Sequence, residues 1–173
     1  MDDLVLRAAT EGDVPAILEI YNEWIVNSVA TFDTEPQTLE EKLVWFRETR
    51  HPYAMLVAER EGKVVGWACL RPFRSRAAYR FTTENSVYVR SDCIGQGVGT
   101  ALMLRLVEVA AENGFHTIIA GSSGDSPASV RLHERMGFEL VGVEREVGHK
   151  FGRWLDVAVM QKMLEGHGAR IAP

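Results

Sequence analysis

Ile94-Gly95-Gln96-Gly97-Val98-Gly99-Thr100 is the segment on which the reading of this chain turns. Glycines at every second position let the backbone turn sharply and present its N–H groups with no Cβ in the way. A helix with apolar Val98, Ala101, Leu102, Leu106, Val109 and Ala110 follows without a break. Those donors therefore stand at the positive end of a helix dipole, an anion site suited to a pyrophosphate. Two familiar phosphate motifs do not fit. A dinucleotide fingerprint wants its third glycine where Thr100 stands, and a P-loop wants a Gly-Lys-Ser/Thr that is missing here. A tight strand-to-helix turn with no ligand remains open at this point.

Working outward, residues 81–90 read as the strand that enters the turn, and 71–76 as a basic loop before it. Further upstream, 4–8 forms a short strand. Thr10-Glu11-Gly12-Asp13 then caps a helix with Pro15 in its first turn and Val14, Ile17, Leu18, Tyr21, Trp24 and Ile25 on one face. Residues 27–37 have no helical period and contain Pro36, so they form a loop. Thr38 and Glu41 make a capping box for a second helix, with Leu39, Leu43 and Phe46 as its expected buried face and an end near His51-Pro52. Strands at 54–59 and 64–70 flank the turn Glu61-Gly62-Lys63. Downstream come a strand at 117–120, a helix at 127–136, and strands at 139–147 and 154–163. Hairpins first and strand–helix alternation later favour a mixed sheet over a fully parallel one.

The chain has 173 residues, enough for one domain over 1–173, with about the last eight expected to be a flexible tail. A net charge of −5 argues against non-specific binding to nucleic acid, which wants a basic surface. Cys69 and Cys93 form no CxxC and the histidines do not cluster, so neither a metal site nor a disulfide framework is expected. The acidic start Met1-Asp2-Asp3 is unlike a signal peptide, and no apolar run reaches the roughly 18 residues of a membrane span. A soluble cytoplasmic protein, with no membrane partner, is the expectation.

The glycine segment resembles the coenzyme A pyrophosphate loop of the GCN5-related N-acetyltransferases, Gln/Arg-x-x-Gly-x-Gly/Ala. Gly97 and Gly99 match it, and Ile94 departs from it at the leading position. The resemblance implies an α/β (α+β) fold, with a mixed, mostly antiparallel sheet of about seven strands and helices on both faces. It also implies a splay between the fourth and fifth strands. Phe32-Asp33-Thr34-Glu35-Pro36-Gln37-Thr38, the run 79–89, Arg131-Leu132-His133-Glu134 and Lys150-Phe151-Gly152-Arg153-Trp154-Leu155-Asp156 resemble one branch of that superfamily more closely. That branch acetylates phosphinothricin, methionine sulfoximine and methionine sulfone.

The resemblance implies acetyl-CoA as co-substrate. Val87, Tyr88 and Val89 would line the pantetheine arm, and Gly95, Gln96, Gly97, Val98, Gly99 and Thr100 would hold the pyrophosphate. Ser126 stands where the superfamily has a cofactor-binding asparagine, although Ser126-Pro127 also reads as an N-cap. Direct attack of a neutral amine on the thioester needs a base, and Glu84 matches the glutamate the branch uses to deprotonate its substrate. His133 replaces the usual tyrosine, and an imidazole suits proton transfer to the thiolate near pH 7. Each also has a plainer reading, Glu84 as a solvated carboxylate and His133 as a structural ring. His51, His116, His149 and His167 read as surface residues.

Phe32, Arg74, Ser75 and Arg76, with Glu84, Asn85 and Ser86, are the candidate acceptor-binding residues. Arg76 matches the phosphinothricin type and Arg74 the methionine-sulfone type; guanidinium suits a carboxylate or phosphinate. Residues 150–156 imply a homodimer by the same resemblance. The rival readings are a polyamine, an aminoglycoside or a protein N-terminus as acceptor, or an acyl-CoA-binding module without catalysis. Arg74 and Arg76 favour an anionic acceptor; Glu84 with His133 favours catalysis.

Overall fold

The computed structural model describes residues 4–123 and 126–164. Among these residues seven strands and four α-helices follow in the order β1 (Val5–Ala8), α1 (Val14–Asn27), α2 (Leu39–Glu48), β2 (Met55–Arg60), β3 (Lys63–Pro72), β4 (Thr82–Val89), α3 (Val98–Glu112), β5 (Thr117–Ser123), α4 (Pro127–Arg135), β6 (Glu139–Lys150) and β7 (Arg153–Met163). The sheet order is β1-β2-β3-β4-β5-β7-β6. Every neighbouring pair is antiparallel except β4 with β5.

The sheet separates two apolar layers. On one face α3 packs Val98, Leu102, Met103 and Leu106 against Ala68, Leu70 and Ile118. On the other, α1 packs Ile17 and Ile20 against Val57, Trp67 and Cys69. Tertiary pairing lengthens several strands beyond their propensity. β3 continues through Arg71 and Pro72 because β4 pairs with it at Glu84 and Thr83, so the expected basic loop begins two residues late. β5 reaches Ser123 through pairing with β7. β6 and β7 meet at Phe151-Gly152, both in the left-handed region at φ 51° and 74°.

The α2 face is corrected in part: Leu43 and Phe46 are half-buried as expected, but Leu39 is not. Leu39 is 44% exposed in the first turn, and the deeply buried residue of this helix is Lys42, at 2%. Its aliphatic stem goes into the layer with α1. Its ammonium rests 4.0 Å from the ring centres of Tyr21 and Trp45 and 5.1 Å from that of Trp67. A polar end that finds π faces can be buried where a leucine was expected.

The parting of β4 from β5 positions the site. They pair only at Thr82–Thr117, Thr83–Ile118 and Glu84–Ile119. Beyond Glu84, the pairing continues on one side of each strand only, β4 with β3 and β5 with β7. A wedge opens between them, with backbone polar edges on both walls.

Candidate active site

The wedge leads into a cleft of about 480 Å³. One wall is β4 from Asn85 to Val89, including Ser86, Val87 and Tyr88. The end of the cleft is the glycine turn, through Gly95, Gly97, Val98, Gly99 and Thr100. The opposite wall carries Ser126 and His133.

At the turn, Gly95 and Gly97 have φ of 77° and 83°, a region an L side chain enters only with strain. Gly97 is the N-cap of α3 and offers no capping side chain. The first N–H to find a helical partner is that of Ala101, which donates to Gly97 O at 3.0 Å. The N–H groups of Val98, Gly99 and Thr100 precede it, so they form the free donor set of the helix end. These residues fit a pyrophosphate by their backbone alone. The Gln96 side chain does not join them: its Nε2–H donates to Asp92 O at 2.8 Å, and its Oε1 accepts from Arg60. On β4, Val89 O already accepts the indole N–H of Trp24 at 2.8 Å, which leaves the groups around Val87 for a ligand.

Ser126 is the N-cap of α4 with Pro127 in its first turn, as expected, but its hydroxyl makes no capping hydrogen bond. His133 is 3% exposed. Its Nδ1 lies 2.8 Å from the Ser129 carbonyl, one turn back on α4, and its Nε2 lies 3.0 Å from Asn85 Nδ2. A carbonyl only accepts, so Nδ1 carries the proton; Nε2 is then the lone pair that takes an Asn85 N–H. Burial lowers the imidazole pKa, and the hydrogen bond to Ser129 opposes that in part. The ring is a neutral acceptor at pH 7. Asn85 Oδ1 is left buried without a partner.

Glu84 is next to Asn85, and in a strand adjacent side chains project to opposite faces. Asn85 meets α3 and α4 through Met103 and His133. Glu84 shares the other face with Ser86 and with Tyr88, which packs beside Trp67 and Tyr21. The two catalytic candidates thus sit on opposite sides of the sheet, at the point where β4 and β5 separate. Glu84 does not line the cleft itself. Burial raises its pKa above the ordinary carboxylate value, with Arg74 pulling it back.

The expected arginines are more dispersed than their spacing suggested. Arg74 is exposed and stacks 4.7 Å from the Phe73 ring centre and 5.6 Å from that of Tyr79; Ser75 and Arg76 are exposed beside it. Arg71, read as part of that loop, instead projects from β3 opposite Glu84 and is tied to α2 by a 2.6 Å bond to Thr49 Oγ1. Phe32 is not in the cleft. Its ring lies on Gly148 of β6, where a Cβ would overlap it. Next to it, the buried Lys150 Nζ donates to Thr31 O at 2.9 Å, so the α1–α2 loop is strapped to β6. Within the loop, Asp33 accepts from Tyr21 at 2.9 Å and from Gln37 at 2.8 Å.

Lys42 was not singled out from the sequence, Asp33 and Lys150 entered only within the 32–38 and 150–156 motif stretches, and Arg71 only as the start of the basic loop. The one local hint was Lys42 three residues before Trp45 on the same helix, where i and i+3 side chains meet. Among the described residues, no group of three or more His, Cys, Asp or Glu side chains could hold a metal ion, and no helix is long and apolar enough to cross a membrane.

Comparison with known proteins agrees with this geometry. Residues 16–138 match the model of the acetyltransferase (GNAT) family. An L-methionine sulfoximine/L-methionine sulfone acetyltransferase of Pseudomonas paraeruginosa is 40% identical over 162 residues, 92% of this chain and 94% of that protein. The crystal structure of a phosphinothricin acetyltransferase from Sinorhizobium meliloti in complex with acetyl-CoA has a TM-score of 0.92 at 40% identity, covering 98% of this chain and 92% of the other. That of a ribosomal-protein-alanine N-acetyltransferase from Brucella melitensis has a TM-score of 0.91 at 44% identity, covering 93% and 100%. With its splayed sheet, its glycine turn and these relatives, the chain belongs to the GNAT family of acetyltransferases.

Proposed function

We propose that this acetyltransferase moves the acetyl group of acetyl-CoA to the primary amine of a small amino-acid-like acceptor such as methionine sulfoximine, methionine sulfone or phosphinothricin, with the whole chain as one catalytic domain. The observation that carries the reading is the parting of β4 and β5 directly after Glu84, with a carboxylate on one face and the Asn85–His133 pair on the other. A thioester seated in the wedge is open to an amine from the Glu84 side while its carrier lies on the α3–α4 side. Glu84 takes the proton of the acceptor's ammonium, directly or through one water. The neutral amine nitrogen bonds the carbonyl carbon, the C–S bond breaks, and the second proton shed by that nitrogen ends, through solvent, on the departing thiolate. A raised carboxylate pKa makes Glu84 a better base than an exposed glutamate. His133, neutral and fixed by Ser129, orients Asn85 beside the reacting carbon.

A protein N-terminus is the second reading, since the Brucella relative is named for one. Arg74, whose charge acts on Glu84, suits the carboxylate of a free amino acid, which a polypeptide N-terminus does not carry. Turnover of acetyl-CoA with methionine sulfone, methionine sulfoximine and phosphinothricin, against spermidine, an aminoglycoside and an alanyl peptide, decides between them. We expect the amino-acid analogues to lead in kcat/KM by at least about tenfold, 1.4 kcal/mol. A peptide or polyamine in the lead would overturn the assignment.

The enzyme is also proposed to act as a homodimer. Leu140, Val141, Val143, Val147, Phe151 and Trp154 on the β6–β7 hairpin are each 50–63% exposed, an apolar surface that a second copy would cover. Light scattering that finds only monomer at micromolar concentration would count against it. Two buried free thiols accord with a reducing, cytoplasmic setting.

A further inference from the structure

The cleft that receives acetyl-CoA must hold a strongly anionic ligand, yet the protein has a net charge of −5 and its glycine turn carries no cationic side chain. Ile94, 54% exposed, occupies the position where the related loops place a glutamine or arginine. The charge comes from elsewhere. Among the described residues lining the cleft, Arg131 and Arg135 are the only formal cations, and none is acidic. Both project from α4, where Ala128, Arg131, Leu132 and Arg135 face the cleft at i, i+3, i+4 and i+7, one continuous stripe of the helix. Both are exposed, and neither has an ion-pair partner among the described residues. Two cations without a paired counter-charge among the described residues thus stand on the α4 wall, whose Leu132 lies against Gly99 at the start of α3.

From this arrangement we infer that Arg131 and Arg135 recognise the 3′-phosphate of coenzyme A and make the enzyme selective for the 3′-phosphorylated carrier. The inference rests on the acetyl-CoA reading above. The division of labour follows from the chemistry of each wall. Backbone N–H groups at a helix start suit the bridging, singly charged phosphates of a pyrophosphate. A terminal phosphate monoester carries up to two charges and three acceptor oxygens, which two guanidinium forks satisfy better than dipoles do. Two cations a single turn apart would repel in the empty protein, and a dianion between them removes that repulsion.

Calorimetry with coenzyme A and with dephospho-coenzyme A tests this without any acetyl transfer. The native enzyme should bind coenzyme A about tenfold or more tightly than the dephospho form, 1.4 kcal/mol or more. Arg131→Ala/Arg135→Ala should lose that preference, weakening coenzyme A by about tenfold while the dephospho form changes little, with a shallower salt dependence. Arg131→Lys/Arg135→Lys should keep part of the preference. If both ligands weaken together, or the ratio of affinities survives in the alanine variant, the arginines serve the helix and the proposal falls. Equal affinities for the two ligands in the native enzyme overturn it as well. Binding of neither ligand would overturn the acetyl-CoA reading itself, a result distinct from all of these.

Discussion

The two faces of β4 are built by different means. Toward α3 and α4, the strand meets a site made of backbone: left-handed glycines, an uncapped helix start and an unpaired strand edge. Toward α1 and α2, the same strand meets side chains gathered from the whole chain: Tyr88 packs on Tyr21, which bonds Asp33 and lies under Lys42, and Arg71 stands opposite Glu84. The first face suits a ligand that never changes. The second can be altered residue by residue without disturbing the first, which is how one fold can keep its acetyl donor and vary its acceptor.

If the faces are separable, changes on one should leave the other's ligand alone. Glu84→Gln should show the largest effect, lowering kcat by roughly 10²–10³-fold while coenzyme A affinity stays near the parent value. Because burial holds the Glu84 pKa above its ordinary 4.5, the acid limb of the turnover–pH profile should lie above that of an exposed carboxylate and vanish in the variant. Raising the pH should restore part of the lost rate, as more acceptor amine is neutral unaided. His133→Phe should lack that recovery. A Glu84→Gln enzyme with parental turnover across the pH range would remove Glu84 as the base.

On the opposite face, Gly97→Val should weaken coenzyme A binding by at least about tenfold, 1.4 kcal/mol. Gly97 has φ of 83°, and no atom lies within 4 Å of where its Cβ would be, so the loss comes from backbone strain in the donor turn and not from a clash with the protein. Acceptor KM should hardly move. Unchanged calorimetric affinity in a folded variant would show that the turn is not the anion site.

The smallest expected effect is on stability. Burial depresses the Lys42 pKa from 10.5 to about 8, with Asp33 and Cys69 opposing it and Arg71 reinforcing it. The sign follows from proton counting. Below pH 8 the ammonium is charged in both states, and its burial costs stability. Between about 8 and 10.5 the folded protein sheds the proton while the unfolded chain keeps it, so stability should rise with pH through that window. The full displacement corresponds to on the order of 3 kcal/mol, which the three ring faces reduce. Lys42→Met should therefore flatten the rise and add about 1 kcal/mol near neutral pH, measured by urea unfolding. A variant whose stability keeps the parental pH slope would place the titration elsewhere.

The sequence was legible where structure is local. The glycine turn, the capping box of Thr38 with Glu41 and the succession of strands and helices along the chain depend on residues a few positions apart, and the structure has each of them. It was less legible where long-range pairing decides. Arg71 looked like loop because its extension of β3 is imposed by β4, and Lys42 was left off the expected buried face of α2 because its ring partners come from α1 and β3 as well as its own helix. Phe32 was open between a pocket residue and a packing anchor, because nothing near it in the chain announces the space above Gly148 that its ring fills. The tail expected after residue 165 and His167 lie outside the described residues.

The ring of Phe32 and the bare backbone of Gly148 share one volume, contributed from opposite ends of the chain. Neither can change alone without loss: a side chain at 148 collides with the ring, and a smaller residue at 32 leaves a void on the strap. Descendants of this sequence would have to exchange the two together, a methyl gained at one position for carbon lost at the other. In a set of close homologues the pair should therefore covary across the sheet, and a broken partnership there should mark a lineage whose strap has been rebuilt.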